Sequence, residues 1–514
     1  MKNIFNHVEV PKVPTNRFDM SHGVKMSGDM GELLPAFTAE CYPGDRWYIK
    51  PEVLARFAPL VSPVMHHITI DYHFFFTPNR KLWADWEDFI TGVEEVETPK
   101  LQAMDSLVVG ALGDYLGYVP NAPHPTFQAS CLPVAAYALI YDEYYRAQDL
   151  QAKYFEPLIS GNNSWCTTLY RGFPLKRAWN HDYFTACLPF AQKGDPVTLP
   201  LLNNSTANVT LADTTNQPII RENNAAGNPL SGNMLAGVTG DLTVFDGVAN
   251  IQAQFDPNET LVVDINGEAV DITTVRTAFA IQAFLERDAR SGTRYIETVE
   301  GHFGVYSSDK RLDRPEYLGG LKMNMVISEV LATAETVSGT TVTNPVGQMA
   351  GHGLSVGGGN TIQYFVEEHG WINGIISVRP RTAYQQGLHK SLLRNDRLDY
   401  MWPQFANIGE QPVYMTEIYM DAPGDELGEV FGYIPRYSEL RFMNSRVAGD
   451  MRSTLNFWHL GRIFNEKPLL NSNFIECAPD KRIFAAPSED GIYFHIVNNA
   501  WVDRKLSKFG TPSI

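Results

Sequence analysis

What most constrains the fold of this chain is a series of short apolar, aromatic-rich runs, each stopped by Gly or Pro, with no helix regularly placed between them. Trp47-Tyr48-Ile49 is short and β-prone. Ile68 to Phe76 (ITIDYHFFF) is long, aromatic and partly alternating, and it stops at Thr77-Pro78. Asn324 to Ala332 is apolar enough for a strand, and Tyr364 to Arg379 gives two strand-like runs around Gly370. Shorter pieces at 413–420 and 430–434 are punctuated by Gly and Pro. Branched and aromatic side chains suit a pleated, half-buried surface, and Gly and Pro end it. Many short strands with long connections predict a mainly β protein, a sandwich or a barrel. Without strand–helix alternation, a parallel α/β sheet is disfavoured.

Three segments carry helical period. Leu82 to Ile90 is a short amphipathic helix closed near Gly92. Pro133 to Arg146 (PVAAYALIYDEYYR) places Val134, Tyr137, Ala138, Tyr141 and Tyr144 or Tyr145 on one face, with Pro133 at a first helical position. Val275 to Asp288 puts Val275, Ala278, Phe279, Gln282 and Leu285 on one stripe, and Ser291-Gly292 ends it where a left-handed residue is cheap. The stretch from Glu286 to Gly320 is then dense in Arg, acids, aromatics and Gly, with little helical or alternating period. Such a segment makes contacts within or between subunits. Arg290, Arg294, Arg311 and Arg314 each offer a forked donor to a carboxylate. They are taken, with Trp83 and Trp86, as inter-subunit or structural candidates.

The chain has 514 residues, of which 19% are charged, and a formal net charge of -17. An acidic chain is a poor general binder of nucleic acid, since affinity for phosphate comes from Lys and Arg, although a local basic face remains compatible with it. The five cysteines are spread widely with no C-x-x-C pair, and read as free buried thiols. The start of the chain has no charged-then-apolar leader, and no run approaches the ~20 apolar residues that span a bilayer. Four regions follow: an irregular arm (1–45), a first core part with helical insertions (46–202), an insertion (203–274), and a second core part with long loops and a tail (275–514). The insertion is rich in Asn, Thr, Ala, Gly and Val, with Arg221 its one basic residue. Asp246-Gly247 and Asn266-Gly267 predict two tight hairpins in it, LTVF with VANIQA and LVVDI with EAVDI. Its first half is too polar to form a core alone, so it reads as an exposed protrusion. Residues 333–360 read as a Thr/Gly/Ser-rich loop.

No catalytic constellation is found. Gly351-His352-Gly353 lacks the strand–helix setting of a phosphate loop. His66-His67, if placed in a strand, face opposite sides and cannot chelate one metal. Glu367, Glu368 and His369 lack a metal-ligand spacing, and His181-Asp182 lacks a nucleophile. Catalytic residues, metal ligands and cofactors are therefore expected to be none. The best basic run is Arg379 to Arg397, with Arg379, Arg381, Lys390, Arg394 and Arg397 around Tyr384. Basic grooves with stacking aromatics suit single-stranded DNA. A salt-bridged interface is the plainer reading of the same run. Arg504 and Lys505, with Lys508, form a weaker basic group of the same kind.

Several long stretches resemble the major capsid proteins of microviruses, small icosahedral phages with single-stranded DNA genomes, and the gokushovirus-like branch among them. They are ARSGTRYIE (289–297), HFGV (302–305) and RLDRPEYLGG (311–320), with HFFFTPNRKLWADWEDFITG, LPVAAYALIYDEYYRAQDL, HDYFTACLPFAQKGDPVTLP, EEHGWINGIISVRPR, DYMWPQFANIGEQPV, VFGYIPRYSELRF and WHLGRIFNEKPLLNSNFI. The resemblance implies an eight-stranded antiparallel jelly roll with large loop insertions. It implies self-assembly of sixty copies into a T=1 shell around a circular single-stranded DNA genome. The partners it implies are the chain itself, the genome, an internal scaffolding protein, a pilot protein and a small DNA-binding protein of the phage, and a host receptor met by the 203–274 protrusion. It implies assembly in the host cytoplasm and residence in the virion, with no enzymatic role. A β-sandwich carbohydrate-active enzyme or a lectin-like binding protein is the alternative. It would require a cleft with paired carboxylates, or a secretion signal.

Overall fold

The computed structural model describes residues 14–509 except 94, 103–106, 122–127, 196, 334–335, 339–340 and 345, and between 198 and 271 it describes only six backbone strands. The chain divides into two units, Met1–Lys193 with Glu286–Ile514, and Gly194–Leu285.

The larger unit is built from antiparallel sheets. One sheet runs Thr15–Asp19, Ile492–Lys505, Arg46–Phe57, Met349–Gly358, Val326–Leu331, with His22–Gly28 also on Ile492–Lys505 and Ile362–Phe365 also on Arg46–Phe57. The other runs Glu316–Asn324, Ile68–Pro78, Gly370–Pro380, Leu34–Cys41. Side chains alternate across a strand, so Arg46–Phe57 turns Trp47, Ile49, Val53, Ala55 and Phe57 inward and leaves Arg46, Lys50, Glu52 and Arg56 outside. These inward residues share one core with Ile492, Phe494, Ile496, Ala500 and Val502, and with Ile70, Tyr72, Phe74, Phe76, Ile372, Ile376 and Val378 of the second sheet. Each fully buried Phe or Ile contributes about 1.5–3 kcal/mol by leaving water. Two sheets joined by one core make a β-sandwich. The Tyr72 hydroxyl donates to Asn498 Oδ1 (2.9 Å), and Asn498 Nδ2 donates to the Ala36 carbonyl (2.9 Å), so these two polar side chains are paired within the core.

The second sheet is covered on its other face too. Leu33, Phe75 and Ile375 pack with Trp83, Val134, Tyr137, Tyr141 and Tyr170 in a helical layer. Burial on both faces explains why Phe74-Phe75-Phe76 is continuously aromatic rather than alternating. The helix Leu132–Ile140 is buried along most of its length and continues into a wider π-helical turn, Tyr141–Tyr145, so its sequence shows more than one apolar stripe. A third cluster gathers Tyr183, Phe184, Tyr384, Val413, Ile418, Phe431 and Phe474.

Several expectations are corrected by long-range pairing. Within the stretch read as an irregular arm, three strands form from Thr15 onward, and two of them pair with Ile492–Lys505 at the far end of the chain. That 14-residue strand takes in Arg504 and Lys505, read as part of a tail. The 333–360 loop contains the strand Met349–Gly358, where Gly353 lies so close to Phe57 that a Cβ would sit 2.5 Å from the ring. Asn324–Ala332 is not one strand. Glu316–Asn324 pairs in the second sheet and Val326–Leu331 in the first, and buried Met325 is the corner between them. The Leu82–Ile90 helix is two turns, Asn79–Leu82 and Trp86–Thr91, broken at extended Trp83 and closed by left-handed Gly92. Tyr295–Phe303, expected to lack helical period, is a helix closed by left-handed Gly304.

In the smaller unit, Leu242–Phe245 pairs antiparallel with Asn250–Phe255 in the expected hairpin, whose turn lies outside the described residues. Asn233–Ala236 and Ile220–Glu222 complete a four-stranded sheet. Leu261–Val263 pairs instead with Val209–Leu211, and 264–271 lie outside the described residues. Ile272, expected in the second hairpin, begins the helix Ile272–Ser291. Val275, Ala278, Gln282 and Leu285 are half-buried there, whereas Phe279 is exposed.

Candidate functional site

The arginines of the 286–320 stretch are held mainly by their own subunit. Arg294 caps the helix Tyr295–Phe303, pairs with Glu297 at 3.1 Å, and donates to the carbonyls of Asp142 (2.8 Å) and Arg146 (3.0 Å). It thereby ties the stretch to the π-helical turn. Arg314 lies over the Tyr144 ring (4.3 Å) between Asp309 and Glu143. Arg290 is paired with Glu410. Trp83 is buried in the helical layer, with Nε1 donating to Ser160 Oγ (3.3 Å), and Trp86 packs at its rim beside His369. Arg311 is exposed and has no ion pair among the described residues. Around it the same stretch exposes Tyr295, Phe303 (78%), Val305 and Tyr306 (70%). That is a concentration of exposed aromatic surface in one segment, of the kind that candidate interaction faces have.

The basic run from Arg379 is split by the fold. Arg379 is buried, and its Nη2 donates to Asp71 (2.9 Å), which also accepts from Arg177 (2.8 Å). Burial opposes ionisation of Asp71, but the two guanidiniums outweigh it and hold the carboxyl below its ordinary range. Tyr384 is buried, its hydroxyl donating to Asp182 (2.7 Å). Lys390 pairs with Glu417 (3.2 Å) and Arg394 with Glu439 (3.1 Å), both carboxylates buried. Arg504 pairs with buried Asp45. These cations are neutralised inside the subunit. Arg397 stacks on Trp402 (5.2 Å). Arg397, Lys505 and Arg381 have no ion pair among the described residues.

Arg381 stands in a setting that reading the run by itself does not find. It follows the strand Gly370–Pro380, whose ladder with Ile68–Pro78 continues as Arg381 N–H donates to the His67 carbonyl (2.9 Å). His66 Nε2 meets the Arg381 carbonyl at 2.5 Å. Burial pushes the His66 ring down to about 4, so it is neutral at pH 7 and donates there. His66 and His67 lie just ahead of the strand rather than in it, and both line one cavity of about 330 Å³. Its other walls are Arg381, Thr382, Ala383, Ser445, Arg446, Val447, Ala448, Met451, Trp458, His459 and Met65. Ala383–Tyr384 pairs in parallel with Ser445–Arg446, which holds these two lining segments side by side. Met65 N–H donates to the Trp458 carbonyl (2.8 Å), closing the floor. His459 uses both ring nitrogens internally, with Met451 O (2.8 Å) and Gly461 N–H (2.9 Å). Among the described residues, no Asp or Glu lines the cavity. The local signal for His66, His67, Arg446 and Trp458 is weak, because they come from three distant segments.

Among the described residues, no group of three or more His, Cys, Asp or Glu is arranged to hold a metal ion, and no helix is long and apolar enough to cross a membrane.

A family model described as capsid protein (F protein) matches residues 6–514. The chain is 34% identical to capsid protein VP1 of Bdellovibrio phage phiMH2K over 99% of this chain and 98% of that protein. It is 31% identical to capsid protein VP1 of Chlamydia phage 1, over 100% and 98%. It is 29% identical to capsid protein VP1 of Spiroplasma virus 4, over 90% and 88%.

Proposed function

Since the chain belongs to the capsid protein (F protein) family and is a major capsid protein of the microvirus kind, a structural component of the virion, we propose that sixty copies close into a T=1 icosahedral shell around a circular single-stranded DNA genome. The observation that carries this reading is the match along almost the whole length, to relatives whose own lengths are almost fully covered. The two sheets then contain the halves of an eight-stranded jelly roll together with added strands, and the long connections supply contacts between copies. A closed shell needs mutually complementary patches around its five-fold and three-fold axes and a self-complementary one at its two-folds. The exposed face of Tyr295, Phe303, Val305, Tyr306 and Arg311 is a fitting patch for a neighbouring copy. Arg290, Arg294, Arg314, Trp83 and Trp86 support that face from within the subunit. The 203–274 segment is the exterior protrusion that meets a host receptor. Arg381, Arg397 and Lys505 are the cations of the basic groups left available for DNA. Shell formation in the host cytoplasm takes an internal scaffolding protein, and a pilot protein and a small DNA-binding protein join the particle.

Electron microscopy of the particulate fraction from infected cells, with mass spectrometry of its dominant protein, tests the reading. Small uniform shells made mainly of this chain are expected. Shells made of another protein, with this chain left soluble, would overturn it. Removal of 203–274 is expected to abolish host attachment and spare shell formation; the reverse outcome would refute the protrusion assignment.

A further inference from the structure

We infer that the cavity walled by His67, Arg381, Arg446 and Trp458 is a binding site for one phosphodiester and its adjoining base in a single strand. The inference rests on the proposed enclosure of single-stranded DNA and names a contact for it.

The charge pattern is the first argument. Neighbouring cations of this subunit are committed: Arg379 to Asp71, Lys390 to Glu417, Arg394 to Glu439, Arg482 to Asp480. Arg381 and Arg446 are exposed, have no ion pair among the described residues, and both line one cavity with exposed His67. Asp450 and Asp71 are the acids nearest in sequence to its walls, and neither lines it. In a chain of net charge -17, two forked donors facing a cavity free of carboxylates fit an anion from outside the subunit.

The second argument is shape and chemistry. At about 330 Å³ the cavity is at the small end of ligand pockets, the scale of a nucleotide rather than of a duplex. Half-buried Trp458 and exposed Met65 also line it, adding apolar surface to the cationic groups. Base stacking on an aromatic ring beside a basic groove is how single strands are held without sequence preference. The walls are set beforehand by the Arg381–His67 and Met65–Trp458 backbone bonds and by the Ala383–Tyr384 pairing, so little order is lost on binding.

The test is fluorescence anisotropy of a fluorescein-labelled oligothymidylate on the purified full-length chain. Arg381→Ala and Arg446→Ala are each expected to weaken binding about tenfold and to lower the salt slope by about one. Both side chains are exposed, so the fold is retained, as circular dichroism would register. Trp458→Leu is expected to weaken oligonucleotide binding while leaving competition by inorganic phosphate unchanged. Arg397→Ala and Lys505→Ala, which alter available cations elsewhere, are expected to change affinity less than twofold. Binding by Arg381→Ala and Arg446→Ala within twofold of the parent would overturn the site. An unchanged affinity of Trp458→Leu would overturn the base contact and leave a phosphate site alone. If the arginine variants bind DNA normally but no longer form shells, the cavity receives a neighbouring copy instead, which also overturns the inference. In each of these cases the parent chain still forms shells, so the capsid reading stands or falls separately.

Discussion

Replacing Asp71 by Asn should be among the most destabilising conservative changes in this subunit. The carboxylate accepts from Arg177 Nη1 at 2.8 Å and from Arg379 Nη2 at 2.9 Å, with side-chain exposures of 5%, 15% and 10% for Asp71, Arg177 and Arg379. Ser377 Oγ accepts from Arg177 (3.0 Å) and the Ala178 carbonyl from Arg379 (3.3 Å), and among the described residues neither arginine has another counter-ion. His73 stands beside them and adds no charge, because burial, and then Arg177, push it down to about 4. The cluster thus carries one net positive charge. Asp71→Asn leaves two buried guanidiniums facing one another, and breaking such a pair costs about 3–5 kcal/mol. Arg379→Met removes one charge and leaves a neutral Asp71–Arg177 pair, so it should cost only about 1–2 kcal/mol. Against a typical domain stability of about 5–15 kcal/mol, the first loss is large and the second tolerable. The double variant should regain at least ~1 kcal/mol over Asp71→Asn alone, because the surviving charge has no like neighbour. Urea unfolding of the full-length chain followed by circular dichroism at pH 7 measures all three. If Arg379→Met costs as much as Asp71→Asn, net charge is not what governs this cluster, and the argument fails.

Other outcomes follow from local geometry. Gly31 and Gly194 both have φ +88°, so Ala strains the backbone at either, but a Cβ at Gly31 would also sit 1.7 Å from the Cys477 carbonyl oxygen while one at Gly194 would meet nothing; Gly31→Ala should yield little soluble chain, and Gly194→Ala much more. Phe303→Asp or Tyr306→Asp should leave the unfolding midpoint within about 0.5 kcal/mol of the parent, as exposed positions do, yet prevent sedimentable shells. Normal shells from both would remove this face from the interface. His73 is held neutral to about 4 in the fold, whereas the unfolded chain takes up a proton near 6.5, so its stability contribution is complete above 6.5 and falls as pH drops toward 4. The loss is up to roughly 2–3 kcal/mol, and His73→Gln should flatten melting temperature against pH in that window. All five thiols are buried, and burial pushes Cys477 up to about 12, so a thiol reagent should label the native chain slowly and five groups after denaturation.

The β character of the chain was legible because its signals are local. Ile68–Pro78 and Gly370–Pro380 have the composition of strands, and Gly92 and Gly292 stop helices where the sequence places them. What escaped is pairing between distant segments. Thr15–Asp19 and His22–Gly28 look polar and irregular because only one edge and one face of each is committed, and their partner lies more than 450 residues away. Ile492–Lys505 does alternate, with Ile492, Phe494, Ile496, Ala500 and Val502 inward, so that strand could have been found by its period. Pro51 interrupts the Arg46–Phe57 pattern in sequence but not in space. It falls where the neighbour on that edge changes from Ile362–Phe365 to Met349–Gly358, a gap in which no ladder donor is needed.

The cationic site shows a stricter limit. A run of arginines and lysines indicates where positive charge begins, not where it is still available, because each charge is cancelled or left free by acids elsewhere in the chain. Within Arg379–Arg397 those acids are Asp71, Glu417 and Glu439, and none could be assigned from spacing. Arg379 and Arg381 are two residues apart and have opposite fates. Arg379, still in the strand, turns toward Asp71 in the same sheet, whereas Arg381 lies one residue past the strand's end, where the sheet no longer covers it. The strand's last residue therefore decides which arginine supports the fold and which faces outward.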